Sequence, residues 1–453
     1  MVDKSIILPN LPEYQGRNWV KATLPNTPCD WLAQDNNGWI LDPSSNAELI
    51  DQLNRLSHEQ AWSWPDRTIL FITDLHADAE AFASSLVASG LFTRYGESPN
   101  DITLIDHPPS FELIIGGDCL DKGPANLPLL RLLRQLLDQQ IPITLLSGNH
   151  DLRLQLAINT LKTPDCPLNA HFLIRLGSKV MPFCVELLSE YPLSSAEKAT
   201  LPSDEYCAQR LLPSHDWHIA FSQAAKPYLS DSQIDTEISR LASRKQRFFN
   251  AAQAAHLSMQ DIYAALLRWR QLFLEPQGEF YWFTQQQQLL CRRGSFIFLH
   301  AGCDDVMVKR LTTEGVDVLN HEFSQARQGD AFQLYFSHLG NMLRTKYRRQ
   351  DPALRSDSRQ ALYQAGIHAF VHGHRNLHQG QRITFRANMM HVECDATLNQ
   401  VSRREEGLSG LGAAVTLFYP EGWMVGISSD FPQAKYFHPR QLNRLANRLQ
   451  HQL

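Results

Sequence analysis

The chain has 453 residues, of which 43% are hydrophobic and 20% charged, and a formal net charge of −5. This length can bury a large core, and the acidic balance disfavours a nucleic-acid partner, because such proteins usually carry an excess of basic residues. No stretch approaches the roughly 18 consecutive apolar residues that span a bilayer, and the first residues are too polar for a secretory signal. We therefore expect a cytoplasmic protein with no membrane partner.

Apolar runs and helical periodicity predict a first group of alternating strands and helices. In chain order these are a strand at 68–73, a helix at 78–91, a strand at 111–115, a helix at 126–140 and a strand at 143–146. Continuous apolar runs are typical of strands buried on both faces, and the alternation predicts a largely parallel sheet covered by helices.

A second group of strands follows a long helical region. The predicted strands lie at 295–299, 369–371 and across 382–394, with a hairpin over 413–428. The predicted organisation is an N-terminal extension packed on the body (1–66), a first catalytic part (67–159), a helical insertion that shapes or caps the cleft (160–290), a second catalytic part (291–430) and a C-terminal helix (431–453). The eight cysteines are scattered without a C-x-x-C pair, which predicts reduced thiols.

Polar residues follow five of the predicted strands directly. They are Asp74-Leu-His76, Gly116-Gly-Asp118-Cys-Leu-Asp121, Gly148-Asn149-His150-Asp151, His300-Ala-Gly302 and His372-Gly-His374-Arg375. Each group alone is more often structural than functional. Ligands of α/β proteins bind beyond the carboxyl ends of strands, and burying so many carboxylates and imidazoles together is costly unless a cation compensates them.

These motifs resemble the calcineurin-like metallophosphoesterase superfamily, whose pattern reads D-x-H, GD-x-x-D, GNH-[DE], H and GH. The segment GGDCLDKGP resembles the corresponding motif of the branch that holds the protein serine/threonine phosphatases and the bacterial diadenosine-tetraphosphate hydrolases. The resemblance covers 67–151 and 294–428. It implies an α/β fold, a metallophosphoesterase-like two-sheet sandwich flanked by helices, here with a helical insertion.

The resemblance also implies a site for two divalent metal ions. The first ion would be held by Asp74, His76 and Asp118. The second would share Asp118 and be held by Asn149, His300 and His374. Independently, mixed carboxylate, amide and imidazole donors suit Mn, Fe, Zn, Co or Ni, and the absence of thiolate from the set argues against a structural zinc. Manganese is the first expectation.

The chemistry implied by the family is attack of a metal-bridging hydroxide on phosphorus, with His150 as general acid and Asp121 orienting it. Lys122 stands where the phosphatase branch has Arg. An ammonium group offers phosphate a point charge, whereas a guanidinium group can donate two parallel hydrogen bonds. Lys122, Arg153 and Arg375 are the candidate substrate contacts, with Arg344 as a further candidate.

Several alternatives stay open at this stage. Many superfamily members carry G-H-x-H, but Asn376 stands at the second position here, and we favour a first metal held without His372. Asp395 is equally well explained as a structural residue and as a residue that supports the metal ligands. The leading function is a phosphomonoesterase acting on a phosphorylated small molecule or a phosphoprotein; the others are a nucleotide phosphodiesterase or pyrophosphohydrolase, such as a dinucleoside polyphosphate hydrolase, and an inactive binding scaffold.

Overall fold

The computed structural model describes residues 7–33, 39–41, 47–159, 161 and 166–451. The strands are β1 (Pro28–Asp30), β2 (Trp39–Leu41), β3 (Thr68–Ile72), β4 (Phe92–Arg94), β5 (Ile102–Leu104), β6 (Phe111–Ile115), β7 (Ile143–Leu146), β8 (Gln287–Gln288), β9 (Leu290–Arg293), β10 (Phe296–Leu299), β11 (Ala369–His372), β12 (Arg382–Arg386), β13 (Met389–Glu393), β14 (Ala414–Tyr419), β15 (Trp423–Ser428) and β16 (Ala434–Phe437).

The α-helices are α1 (Ala47–Leu56), α2 (Ala79–Ala88), α3 (Asn126–Asp138), α4 (Asn149–Asn159), α5 (Phe172–Leu176), α6 (Met181–Glu190), α7 (Ser195–Thr200), α8 (Asp204–Leu211), α9 (Trp217–Ala225), α10 (Asp231–Ala254), α11 (Met259–Leu274), α12 (Tyr281–Gln286), α13 (Asp305–Glu314), α14 (Val316–Ala326), α15 (Ala331–Phe336), α16 (His338–Met342), α17 (Ser356–Gln364), α18 (Gln400–Glu405) and α19 (Gln441–Gln450).

Two mixed sheets carry the architecture. The larger sheet has the order β1-β16-β15-β14-β3-β6-β7-β8, and the second has the order β2-β12-β13-β11-β10-β9. Strands β3, β6, β7 and β8 run parallel, as do β10 and β11, whereas β14 to β16 are antiparallel. The predicted α/β two-sheet sandwich is confirmed, and the hairpin over 413–428 is present as β14 and β15.

The apolar run of β3 is explained by burial on both faces. Ile69 and Phe71 join the core between the two sheets, where the Phe71 ring lies 5.5 Å from that of Phe298. Leu70 and Ile72 point to the opposite face and join the core beneath the helices. Successive strand residues point to opposite faces, so a strand covered on both sides has no position for a polar residue until it ends.

The N-terminal region is part of both sheets. β1 pairs with β16 in parallel, β2 pairs with β12, and α1 packs against α19. The C-terminal segment accordingly contains a strand, β16, before its helix. The division of the chain into separate units stays a prediction.

Helices α5 to α12 fill most of the region between β7 and β8. Capping boxes at Ser194, Ser230 and Ser258 begin three of them by satisfying backbone N–H groups that a helix start leaves free. Phe221 and Trp269 from this region are buried in the same core as β3 and α3. All eight cysteines are free thiols. Among the described helices, none is both long and apolar enough to cross a membrane.

Candidate metal centre

The candidate site lies where the carboxyl ends of strands from both sheets meet. Parallel pairing of β3, β6 and β7 places the segments after them at one edge of the larger sheet, and these segments carry Asp74, Asp118 and, at the start of α4, Asn149. Parallel pairing of β10 and β11 does the same for His300 and His374 in the second sheet. The fold therefore brings together residues up to 300 positions apart in sequence.

Two groups of donor atoms share one carboxylate. Asp74, His76 and Asp118 offer atoms within 4.8 Å of one another, and so do Asp118, His300 and His374. Oδ2 of Asp118 lies 3.4 Å from Nε2 of His300 and 3.7 Å from Nε2 of His76, between the two groups. The side chains are buried, except that His374 is partly exposed and forms the accessible side of the cluster.

The backbone around these donors adopts conformations that are unfavourable for side chains. Asp74, Asp118 and His374 have φ angles of 55°, 53° and 68°, in the left-handed region. Such residues cost free energy and concentrate at functional sites. The backbone approaches Asp118 closely at Gly148 and Asp74 closely at Gly373. Only glycine permits this, because a Cβ at Gly148 would collide with Asp118 and one at Gly373 with Asp74.

Hydrogen bonds orient the donors. His300 donates Nδ1–H to the carbonyl oxygen of Gly116 at 2.8 Å, which turns Nε2 towards the cluster. Thr73 Oγ1 donates to Oδ2 of Asp74 at 2.7 Å, and the backbone N–H of His374 donates to the same oxygen at 3.0 Å. Thr73 therefore holds a candidate ligand, a role that its place before Asp74 did not reveal.

Asp151 has a structural role that sequence reasoning missed. Its carboxylate accepts from the backbone N–H of Gly148 at 3.0 Å and from those of Cys119 and Leu120 at 3.1 Å each. It thereby ties the loop after β6 to the loop after β7. The signal was its place directly after Asn149 and His150, in the family's GNH-[DE] motif.

Burial and neighbouring charges shift the pKa values of the carboxylates in the site. Burial and the Asp118 charge raise the pKa of Asp74, against the opposing effect of His300. Burial and the Asp74 charge raise the pKa of Asp395 well above its usual range. Burial also opposes ionisation of Asp118, but His300 and His150 outweigh it and hold its pKa well below the usual value.

The Asp118 carboxylate also determines the charge of His300. Burial opposes protonation of His300, yet Asp118 outweighs this effect and raises the His300 pKa to about 10. Full ionisation of the buried carboxylates, Asp74 and Asp395 included, is therefore costly, and their negative charge needs compensation. Divalent cations would compensate such charge directly.

The donor set fits metal ions at the level of single atoms. His374 donates Nε2–H to the carbonyl oxygen of Arg344 at 3.2 Å, so its Nδ1 carries a lone pair. The Asn149 amide group lies 2.7 Å from that nitrogen, and without a cation the hydrogen-bonding pattern favours its NH₂ group facing His374. With the amide turned over, its oxygen and Nδ1 of His374 would offer a cation two ligands.

His150 and Asp121 form a hydrogen-bonded pair beside the cluster. Nδ1 of His150 lies 2.7 Å from Oδ2 of Asp121, and its Nε2 lies 3.9 Å from Oδ2 of Asp118. The backbone N–H of Asp121 is itself held by Asn126 at 2.8 Å. Burial lowers the pKa of His150 and raises that of Asp121 to about 8, so both shifts favour a pair without net charge. The arrangement points the second ring nitrogen of His150 into the site.

The candidate substrate contacts lie in different environments. Lys122 places its ammonium 2.7 Å from Nε2 of His76 and 3.2 Å from Oγ of Ser402. Arg153 donates Nε–H to the backbone oxygen of Asn149 at 2.9 Å, within the site. Arg375 lies 3.3 Å from Glu393, in an ion cluster.

His372 does not join the donor groups found among the described residues. It is fully buried, and its Nε2 lies 3.2 Å from Nδ1 of His391. Burial lowers its pKa to about 4, and it is therefore a neutral core histidine at neutral pH.

Part of the chain matches a known protein family, and that part includes several residues of the candidate site. Residues 67–245 match the sequence model of the calcineurin-like phosphoesterases. The chain carries a calcineurin-like phosphoesterase domain. The match includes Asp74, His76, Asp118 and the His150–Asp121 pair and ends before His300 and His374, whose place beside them comes from the fold.

Two phosphatases are among the solved structures that the chain matches at low similarity. The cold-active protein-tyrosine phosphatase of a psychrophilic Shewanella species is 11% identical, with 84% of each chain covered and a TM-score of 0.40. A protein serine/threonine phosphatase from Saccharomyces cerevisiae is 11% identical, with 83% of this chain and 82% of that chain covered and a TM-score of 0.33. A search of curated protein sequences gives no significant match. The phosphoesterase domain thus assigns the chain to the hydrolases of phosphate esters, with a candidate divalent-metal site among its clustered His and Asp residues.

Proposed function

We propose that this phosphoesterase is a phosphomonoesterase that binds two divalent cations, and that manganese is the metal it uses. The first cation would be held by Asp74, His76 and Asp118, and the second by Asp118, Asn149, His300 and His374. The observation that carries the proposal is the pair of donor groups that share the Asp118 carboxylate. Carboxylate, amide and imidazole donors without thiolate suit manganese and its neighbours in the first transition series.

Bound cations supply an activated water and neutralise charge that develops on the phosphoryl oxygens. The chain's own residues fix the geometry for this chemistry. Thr73 and the His374 backbone hold Asp74, the Gly116 carbonyl orients His300, and Asp151 ties the two loops that carry Asp118 and Asn149. No protein nucleophile is required.

His150 is the proposed general acid. His150 would act in its protonated form, donating Nδ1–H to an ionised Asp121 in a pair without net charge and directing Nε2–H to the leaving oxygen, which needs a proton as the ester bond breaks. A positioned acid of this kind typically contributes a factor of about 10²–10⁴ in rate. Arg153, which is anchored on the backbone of Asn149, is the proposed phosphate contact closest to the ligands.

Hydrolysis of aryl phosphates by the manganese-loaded protein tests the proposal. We expect release of orthophosphate by the wild type and its loss in Asp118→Asn, together with a reduced metal content. His150→Asn should keep its metal and lose more activity on phenyl phosphate than on 4-nitrophenyl phosphate, because the better leaving group depends less on an acid.

Other outcomes would replace the proposal. Cleavage of bis-aryl phosphate or diadenosine tetraphosphate in preference to the monoester would make the enzyme a diesterase or pyrophosphohydrolase. Absence of any hydrolysis by a protein that binds its metal would favour the inactive scaffold.

A further inference from the structure

A groove lined by arginines opens beside the metal centre. It encloses about 630 Å³ between helix α10 of the helical region and the segment 335–352. Four arginines line it, Arg175, Arg240, Arg344 and Arg348, against two carboxylates, Glu237 and Asp351. We call it the arginine groove.

Both carboxylates of the arginine groove are already engaged by hydrogen bonds. Glu237 accepts from Arg175 and also pairs with Arg244 at 3.3 Å. Asp351 accepts from the backbone N–H groups of Lys346 and Arg348 at 2.9 Å each. The acids therefore leave the arginines in excess.

Three of the arginines have no carboxylate within salt-bridge distance in the described part of the chain. Arg240 and Arg348 are exposed at the rim, whereas Nε of Arg344 is buried without a hydrogen-bond partner among the described residues. The guanidinium of Arg344 instead lies 4.9 Å from the centre of the Tyr335 ring. A guanidinium of this kind is a ready donor to an anion.

The arginines of the groove favour ionisation of the neighbouring Tyr335 hydroxyl. Tyr335 accepts a hydrogen bond from Arg175 at 3.1 Å and is almost fully buried. Burial alone would raise its pKa, but Arg175, Arg153 and Arg344 outweigh burial and lower it to about 7. The groove thus favours negative charge strongly enough to promote ionisation of a phenol.

Arg344 connects the arginine groove to the metal centre. Its carbonyl oxygen accepts from Nε2 of His374, a proposed ligand, while its guanidinium lines the groove. Arg153 also influences both places, since it acts on His150 and on Tyr335. Arg344 thus borders both the arginine groove and the proposed metal ligands.

We propose that the arginine groove binds a second phosphate group of the substrate while the first is hydrolysed. The inference rests on the proposed function and narrows it to substrates that carry two phosphate groups. Phosphate oxygens accept several charge-assisted hydrogen bonds, for which arginine is the preferred partner. Ser232, Gln233 and Thr236 add neutral polar side chains along the same wall.

Equilibrium binding tests the proposal without turnover. Alkylphosphonates and alkane bisphosphonates of matched, graded chain length are titrated calorimetrically into the manganese-loaded protein. We expect the bisphosphonate of fitting length to bind about tenfold more tightly than its monophosphonate, as one or two added charged hydrogen bonds would give.

The double variant Arg240→Gln/Arg348→Gln should lose this advantage and keep the affinity for the monophosphonate. Both positions are exposed, so the fold should tolerate the change. Arg240→Lys/Arg348→Lys should restore part of the advantage, and Arg134→Gln, an exposed arginine paired with Asp138 on α3, is the matched control.

Equal affinity for both ligand classes at every chain length, or an advantage that survives in the double glutamine variant, would overturn the second-phosphate site. Loss of aryl phosphate hydrolysis would instead overturn the proposed function, so the two failures are distinguishable. Comparison of singly and doubly phosphorylated forms of one peptide and of one sugar then shows which carrier supplies the second phosphate, and a higher kcat/KM for either doubly phosphorylated form supports the site.

Discussion

The ammonium of Lys122 lies 2.7 Å from Nε2 of His76, the nitrogen that this histidine would offer to a metal. Lys122 also adopts a left-handed backbone conformation, with φ of 60°. A lysine nitrogen and a metal ion cannot both bind one imidazole lone pair. Lys122 must turn away for the first cation to bind, and the released ammonium is then free to contact substrate phosphate.

Replacing Lys122 should therefore strengthen metal binding. In Lys122→Met we expect the affinity for Mn²⁺ at the site of Asp74, His76 and Asp118 to be about tenfold higher than in the wild type, because a competing charge and hydrogen bond are removed. Calorimetric titration of the metal-free protein measures this. Lys309→Met, an exposed lysine on α13, should leave the affinity unchanged. An unchanged affinity in Lys122→Met would show that the ammonium does not compete with the metal.

The Asp121 carboxylate should contribute to catalysis mainly through His150, although it also lies 3.6 Å from Nδ1 of His76. Asp121→Asn removes the acceptor that fixes the His150 ring, so we expect kcat on phenyl phosphate to fall by about tenfold or more, within the range of general-acid contributions. Metal content should stay the same, and the activity on 4-nitrophenyl phosphate should fall less. A uniform loss across leaving groups would contradict this positioning role.

Gly148 should tolerate no side chain. In Gly148→Ala the added methyl group would meet the backbone nitrogen and the carboxylate of Asp118, and we expect loss of metal binding and of hydrolysis. Gly329→Ala is the matched control, since its nearest neighbour would lie at an ordinary 3.6 Å. Metal content measured on both purified variants decides the point, and a fully loaded Gly148→Ala protein would disprove the close approach.

Glu393 should make stability depend on acid. It is fully buried and lies 2.8 Å from Arg386 and 3.3 Å from Arg375. Burial opposes its ionisation, but His372, Arg382 and Arg386 outweigh burial and hold its pKa well below the usual value. A depressed pKa gives stability that is complete above the unfolded-state pKa of about 4.3 and is lost as the pH falls below it.

From this group we expect the free energy of unfolding to fall by about 1.4 kcal/mol per pH unit below that pKa. Urea unfolding between about pH 5 and pH 3 measures the slope. Glu393→Gln should be less stable at neutral pH and show a shallower slope, whereas Glu421→Gln, at an exposed position, should follow the wild type. Identical slopes for wild type and Glu393→Gln would contradict the expectation.

Much of the fold could be predicted from local sequence. The run Thr68 to Ile72 is apolar at every position from Ile69 onward because both faces of β3 are covered, and this pattern is visible without a structure. The polar groups that follow the strands were equally visible. The roles of Thr73 and Asp151 were not, because they depend on hydrogen bonds to groups that only the folded chain brings near.

The sequence by itself determined the residue types of the site and their place after strands, since strand patterns and short motifs are local properties of the chain. The tertiary structure decided what no local pattern contains: that one carboxylate, Asp118, lies between two donor groups, that Lys122 contacts His76, and that arginines from α5, α10 and the segment 335–352 line one groove. The physical reason is that such contacts join residues distant in sequence, and their distances follow from how the two sheets and the helices pack.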